Sequence, residues 1–227
     1  LKKSRLPCVI IGAVFLVSIG VSVWLFNQGP KTTGPNGNGN APANTPLDAN
    51  KLPPGADPPH VEGNPNAKVV LEEFGDFQCP PCGVFHPDAK AIVAEFGDRI
   101  KFVFRNNPLR IHQYAYDAAR ASEAAAIQGK YWEMHDKLYD NQATWSTAPD
   151  PRAEFENYAR LLGLNVDQFR ADMLGELAAT RVSRDMRRAE AMGVTGTPTV
   201  FLNGRQLEFK DTNAARLRIL INEELKK

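Results

Sequence analysis

The chain has 227 residues, of which 27 are Lys or Arg and 26 are Asp or Glu, for a formal net charge of +1. That balance excludes the strongly basic surface expected of a nucleic-acid binder, and the length allows one sizeable domain with accessory segments. Only three cysteines occur; Cys8 lies far from the other two, so the chain is not a disulfide-stapled scaffold and its one dithiol reads as chemical rather than structural.

In chain order, Lys2, Lys3 and Arg5 precede an uncharged run from Leu6 to Phe26. About 20 apolar residues suffice for a helix to cross a bilayer core of roughly 30 Å. The sequence therefore predicts a single N-terminal transmembrane helix within residues 1–28. Its basic flank stays on the cytoplasmic side and Trp24 sits at the far interface, which sends the rest of the chain outward. A cleaved signal peptide is the alternative, but its apolar region would be only about 7 to 15 residues with a small-residue cleavage site close behind. Cys8, at the start of the run, reads as a small buried apolar residue. Residues 29–60 change to Gly, Pro, Asn and Ala, with Leu47 and Leu52 the only large aliphatics. This composition predicts a flexible linker with a reach of roughly 30 Å, ending in a solvated His60.

A folded domain is expected over residues 61–227. Val69 to Phe74 reads as a buried strand, and Cys82 to about Phe96 carries Val84, Phe85, Ala89, Ile92, Val93 and Phe96 at helical spacing. Cys79 falls at the N-cap of that helix, and Pro80 and Pro81 suit its first turn, where a missing N–H is no loss. Arg99 to Arg105 alternates polar and apolar and predicts a second strand, parallel to the first through a right-handed crossover. From His112 to about Met192 strand signals disappear. About five helices are expected there, at Tyr114–Gln128, Tyr131–Tyr139, Pro151–Leu162, Val166–Leu174 and Thr180–Met192. The aromatic residues of this block read as core. Thr199–Leu202, an Asn203-Gly204 turn and Arg205–Phe209 form a hairpin, and a helix beginning after Thr212 closes the chain.

Two stretches, Glu73-Phe74-Gly75-Asp76-Phe77-Gln78-Cys79-Pro80-Pro81-Cys82 and Val194-Thr195-Gly196-Thr197-Pro198-Thr199, stand about 115 residues apart. In that order and context the chain resembles the thioredoxin superfamily, and in detail its DsbA-like thiol-disulfide oxidoreductases. The resemblance covers residues 61–227. It implies an α/β thioredoxin-like fold with an all-helical insertion at about 110–192, here preceded by the transmembrane helix. It also implies an enzyme that exchanges disulfides with cysteine-containing exported proteins, needs no cofactor and is recharged by a membrane redox partner. That partner would be a quinone-linked oxidase or a transmembrane reductant. The family pattern places a buried acid at Glu73 and a cis-proline turn at Thr197-Pro198, with the Thr197 backbone facing the client.

The dithiol has its own chemistry. A thiolate at a helix N-terminus meets the positive end of the dipole, which lowers its pKa, so Cys79 is expected to be the exposed reactive sulfur. Cys82, one turn inward, would close the disulfide or resolve a mixed one. Pro81 deletes one backbone donor and leaves the Cys82 N–H as the main one, so Cys79 is expected to be a weaker oxidant than a family member with His in that place. Glu73, if buried without a partner, would carry a raised pKa and could relay a proton to Cys82; Glu72 reads as an ordinary exposed carboxylate.

Other readings remain at this point. A static disulfide adds little across so short a loop. Cys79, Cys82 and His86 could offer three ligands from one helical face to a metal, but His60, His112 and His135 supply no fourth at ligand spacing. A binding module or chaperone with an incidental dithiol would tolerate Cys79→Ser. Within the redox class, disulfide formation is the preferred direction, with a reductase or isomerase as the alternative. The expected address is a single-pass, membrane-anchored protein with its catalytic domain in the periplasm or another extracytoplasmic space.

Overall fold

The computed structural model describes residues 52–227; the expected transmembrane helix and most of the expected linker lie outside the described residues. Among the described residues, no helix is long and apolar enough to cross a membrane.

Strand β2 (Val69–Gly75) and strand β3 (Ile100–Asn106) lie parallel, with Val69 opposite Ile100 and Gly75 opposite Asn106. Helix α1 (Pro80–Phe96) connects them. Strand β4 (Thr199–Leu202) pairs antiparallel with the free edge of β2, and the short β5 (Arg205–Gln206) pairs with β4. Strand β1 (His60–Gly63) pairs antiparallel with β3, giving the order β1-β3-β2-β4-β5. This first strand was not expected, because four residues carry no readable alternation. The last strand is shorter than expected: Phe209–Asp211 forms a 3₁₀ turn, which leaves Phe209 65% exposed.

The insertion holds α2 (Ala115–Ile127), α3 (Tyr131–Asp140), α4 (Gln142–Trp145), α5 (Arg152–Leu161), α6 (Val166–Leu174) and α7 (Glu176–Ala191). Of these, only the single-turn α4 was not expected. Helix α8 (Ala214–Glu224) ends the fold; Asn213 caps it, its side chain accepting from the Arg216 N–H.

Strand alternation divides the sheet into two faces. Val69 and Leu71 of β2, Ile100, Phe102 and Phe104 of β3, and Val200 and Leu202 of β4 enter the main core with Cys82, Phe85, Ile92 and Phe96 of α1 and Leu217 and Ile221 of α8. The intervening residues Phe74 and Phe201 pack instead with Ala189 of α7 and with Met192. The same alternation separates Glu73, on the α1 face, from Glu72, on the α7 face.

Three expectations are corrected at and beside the α7 face. Glu72 is buried rather than exposed: Arg105 Nε donates to it at 2.9 Å, and Arg188 donates through Nε at 2.9 Å and Nη2 at 3.0 Å. A buried carboxylate between two guanidiniums is held below its usual pKa by those partners, although burial alone would raise it. The packed domain also begins before residue 61. Ala56 is 1% exposed, its N–H donates to Asp185 at 2.7 Å, and its carbonyl accepts from Arg105 at 2.8 Å. Arg188 donates to the Pro53 carbonyl at 2.8 Å. His60 is not solvated: its ring stacks on Tyr131 with centroids 3.4 Å apart and its Nε2 lies 2.9 Å from Glu123. The charged partners that capture this Pro-rich stretch come from β3, α2 and α7, far along the chain, so local composition could not reveal them.

Candidate functional site

The turn from β2 into α1 carries the dithiol. Asp76, buried at 1% exposure, fixes that turn: one carboxylate oxygen accepts from the Gln78 N–H at 2.8 Å, and its carbonyl accepts from the Cys79 N–H at 3.0 Å. Its second oxygen accepts from the Leu109 N–H at 2.9 Å and lies 2.7 Å from His112 Nδ1. Gln142, on α4, donates from its amide to the carbonyls of Phe77 at 2.7 Å and Cys79 at 2.9 Å. Gln78 in turn accepts from the Tyr114 N–H at 2.7 Å. The insertion therefore holds the dithiol turn through groups that come from well beyond the motif, the Gln142 amide and the Tyr114 N–H. The Asp76-to-Gln78 bond is an Asx turn, legible in principle from an Asp two residues before the N–H it caps. Nothing local marks Gln142.

Cys79 is the N-cap of α1, with φ −74° and ψ 119°, and Pro80 and Pro81 occupy the first helical positions. Both thiols are free. Cys82 is fully buried, and Cys79, expected to be exposed, is only 5% accessible. The cause is the turn before β4: the Cys79 thiol lies 3.2 Å from the Thr197 carbonyl, which covers it. The Thr197-Pro198 peptide is cis, and the Thr197 hydroxyl oxygen is buried without a partner.

The two thiols differ sharply. A hydrogen bond from the Cys82 thiol leads in bringing the Cys79 pKa down to about 6, against burial and the Asp76 charge, which oppose it. The Cys79 sulfur makes no side-chain cap hydrogen bond, and the Cys82 N–H bonds the Cys79 carbonyl at 3.1 Å. The main donor to the sulfur is thus the neighbouring thiol rather than the backbone. Burial, with the Cys79 bond and the Glu73 charge behind it, pushes Cys82 well above the usual thiol range.

Glu73 is 2% exposed, with Oε1 buried and unpartnered. Burial pushes its pKa up to about 8, so the carboxyl is protonated at neutral pH. Beside the motif, Pro81, Val84, Phe85 and Phe209 line a cleft of about 290 Å³, in which Val84 is 76% and Phe209 65% exposed.

His86 does not join the cysteines. Among the described residues, the groups whose ligand atoms converge with it are His135 and Asp136, so the expected alternative of Cys79, Cys82 and His86 around one metal is not assembled. The reason is helical geometry: Cys79 caps the helix from outside it, while His86 turns toward Tyr139 of α3, with ring centroids 4.9 Å apart.

The dithiol thus sits at a strand-to-helix turn and faces a cis-proline loop on a mixed sheet. A family model described as thioredoxin matches residues 56–223. Among solved structures, BdbD from Bacillus subtilis is 25% identical with a TM-score of 0.65, covering 80% of this chain and 97% of its own. A thioredoxin-like oxidoreductase from Silicibacter pomeroyi is 25% identical with a TM-score of 0.63, covering 75% and 95%. DsbA from Xylella fastidiosa shares the fold at 23% identity and a TM-score of 0.58, covering 73% and 92%. The chain belongs to the thioredoxin family.

Curated relatives include a Na(+)/H(+) antiporter NhaA 1 from Mycolicibacterium vanbaalenii, 42% identical over 150 residues, which are 64% of this chain and 23% of that protein. An antiporter from Herminiimonas arsenicoxydans is 36% identical over 158 residues, 69% of this chain and 24% of that one. The chain spans about a quarter of the length of these relatives.

Proposed function

We propose that this protein forms disulfides in cysteine-containing exported proteins, with Cys79 as the reactive sulfur. What favours this direction is the place of Cys79 at the N-terminus of α1 beside the Cys82 thiol, which lowers its pKa to about 6. A stabilised thiolate stabilises the reduced enzyme, which makes its disulfide the better oxidant. The reaction starts with Cys79 and Cys82 joined. A client thiolate attacks the Cys79 sulfur, a mixed disulfide forms and the Cys82 sulfur leaves with the electron pair. Cys82, whose thiol strongly favours its proton, takes one from the neutral Glu73 carboxyl. A second client thiolate then attacks the client sulfur of the mixed disulfide, closing the client disulfide and releasing Cys79 as its thiolate. Two client thiols are oxidised and the enzyme disulfide is reduced.

In this reading, the Thr197 backbone beside Cys79 receives the client chain at the Pro198 turn, and the Val84 and Phe209 cleft takes its apolar side chains. Residues 1–28 anchor the protein in the membrane, the residues from 29 to about 52 tether it, and the domain that packs from Pro53 onward works in the periplasm or its equivalent. A quinone-linked membrane oxidase would restore the disulfide. Antiport is not carried over, because the match covers only a quarter of the antiporters.

Equilibration with glutathione at pH 7 should give a potential between those of thioredoxin, about −270 mV, and DsbA, about −120 mV. Thiol trapping in cells should find Cys79 and Cys82 oxidised. A potential at or below that of thioredoxin, with both cysteines reduced in cells, would favour the reductase or isomerase instead.

A further inference from the structure

A second cluster lies where α1 meets α3. His86 and His135 are 4% and 3% exposed, and the Nε2 atom of each is buried without a hydrogen-bond partner. Such groups are rare, because leaving them unpaired costs their hydration. His86 Nε2 instead faces two carboxylate oxygens, Asp136 Oδ1 at 3.7 Å and Asp140 Oδ1 at 3.6 Å, beyond hydrogen-bond distance. The other ring nitrogen of His135, Nδ1, hydrogen-bonds the same Asp136 oxygen at 3.3 Å. Ligand atoms of His86, His135 and Asp136 all fall within 4.8 Å of one another. Asp136 and Asp140 stand one turn apart on α3, so both carboxylates reach the same side.

The two His86–carboxylate separations approach those around a small cation, and Asp140 joins the cluster of three through its approach to His86 alone. Tetrahedral ligands bonded at about 2.0–2.1 Å lie roughly 3.4 Å from each other. Two imidazoles with carboxylates suit a first-row dication such as Zn²⁺, whereas Ca²⁺ and Mg²⁺ require mostly oxygen. Tyr139 stacks against the His86 ring at 27° and fixes its plane. The Asp136 and Asp140 side chains are 33% and 59% exposed and provide an entry path.

We infer that His86, His135, Asp136 and Asp140 form a Zn²⁺ site that joins the helix carrying the dithiol to the helical insertion. The site lies apart from the redox chemistry and holds whatever direction that chemistry takes. Lys90 competes with it: its Nζ lies 2.6 Å from Asp136 Oδ2, leaves Oδ1 to the two histidines and places a positive charge beside the site. Because the ion binds only the folded state, in which α1 and α3 meet, it raises stability by mass action.

The test uses the full chain with Cys79 and Cys82 joined as a disulfide, so that the dithiol cannot bind metal, stripped with chelator and titrated with ZnCl₂ by calorimetry and thermal denaturation. One equivalent should bind and raise Tm. Asp140→Asn, at an exposed side chain, should keep the metal-free Tm and weaken binding about tenfold or more, as should His86→Gln. Lys90→Gln should tighten binding. Absence of zinc binding by the oxidised chain, binding that appears only on reduction, or equal affinity in wild type and Asp140→Asn would each overturn the site. Should His86→Gln fail to fold, the Asp140→Asn and Lys90→Gln pair still decides.

Discussion

Replacing Glu73 by Gln should change stability in a way that depends on pH, and the burial of this carboxyl sets the size. Its pKa is raised from 4.5 to about 8 by burial alone. A raised folded-state value means that the folded chain holds the proton longer than the unfolded one. The contribution to stability is therefore complete below pH 4.5, falls as pH rises through neutrality, and stops changing above about 8. At pH 7 the unfolded carboxyl has lost its proton and the folded one has not, which costs the fold about 3 kcal/mol relative to acid. Gln cannot titrate and escapes that loss. Its amide also leaves donors unpaired, at a cost of about 1–3 kcal/mol that does not vary with pH, so the informative quantity is the change between two pH values. Urea unfolding of the oxidised protein, in which Cys82 does not titrate, should show the variant gaining about 3 kcal/mol on wild type between pH 4.5 and pH 7. A difference that stays constant across that range would mean that Glu73 is solvated or paired, and the proton relay to Cys82 would lose its basis.

Three other outcomes are expected. In the reduced protein, absorbance at 240 nm should titrate Cys79 near pH 6, and Cys82→Ala should raise that midpoint by about one to two units, the worth of a hydrogen bond to a charged group; an unmoved midpoint would remove Cys82 as the donor. Gln142→Ala leaves the Phe77 carbonyl without its amide donor and should lower stability by about 1–2 kcal/mol in thermal denaturation, with no loss meaning that water takes the place of the amide. Glu72→Ala strands two buried guanidiniums and should cost about 3–5 kcal/mol in urea unfolding, with disulfide exchange per folded molecule unchanged. A neutral Glu72→Ala would show that Arg105 and Arg188 are satisfied elsewhere.

The sequence made the fold legible wherever periodicity was long. The strand at Val69, the helix behind Cys79, four of the insertion helices nearly residue for residue, and the hairpin start at Thr199 all follow from apolar spacing and turn chemistry. What escaped was short or non-local. Strand β1 has four residues and gains its identity only by pairing with β3. Glu72 and Glu73 are adjacent and chemically alike; the pleat puts one among arginines and the other beneath a thiol, and only the arginines' positions, far down the chain, tell which is paired. In the candidate site, the motif supplies the two thiols, but the groups that hold and cover them, Gln142 and the Thr197 carbonyl, arrive from the insertion and from the turn before β4. The Cys79 accessibility was misjudged for that reason.

The capture of residues 53–58 by Arg105, Asp185, Arg188 and Arg181 has a mechanical consequence. Tension pulling on residue 52 is taken up by charged hydrogen bonds anchored in β3 and α7, across the sheet from the dithiol. The load reaches the frame of the molecule without passing through the turn at Cys79, so a tug from the N-terminal side leaves the reactive sulfur in register with Thr197.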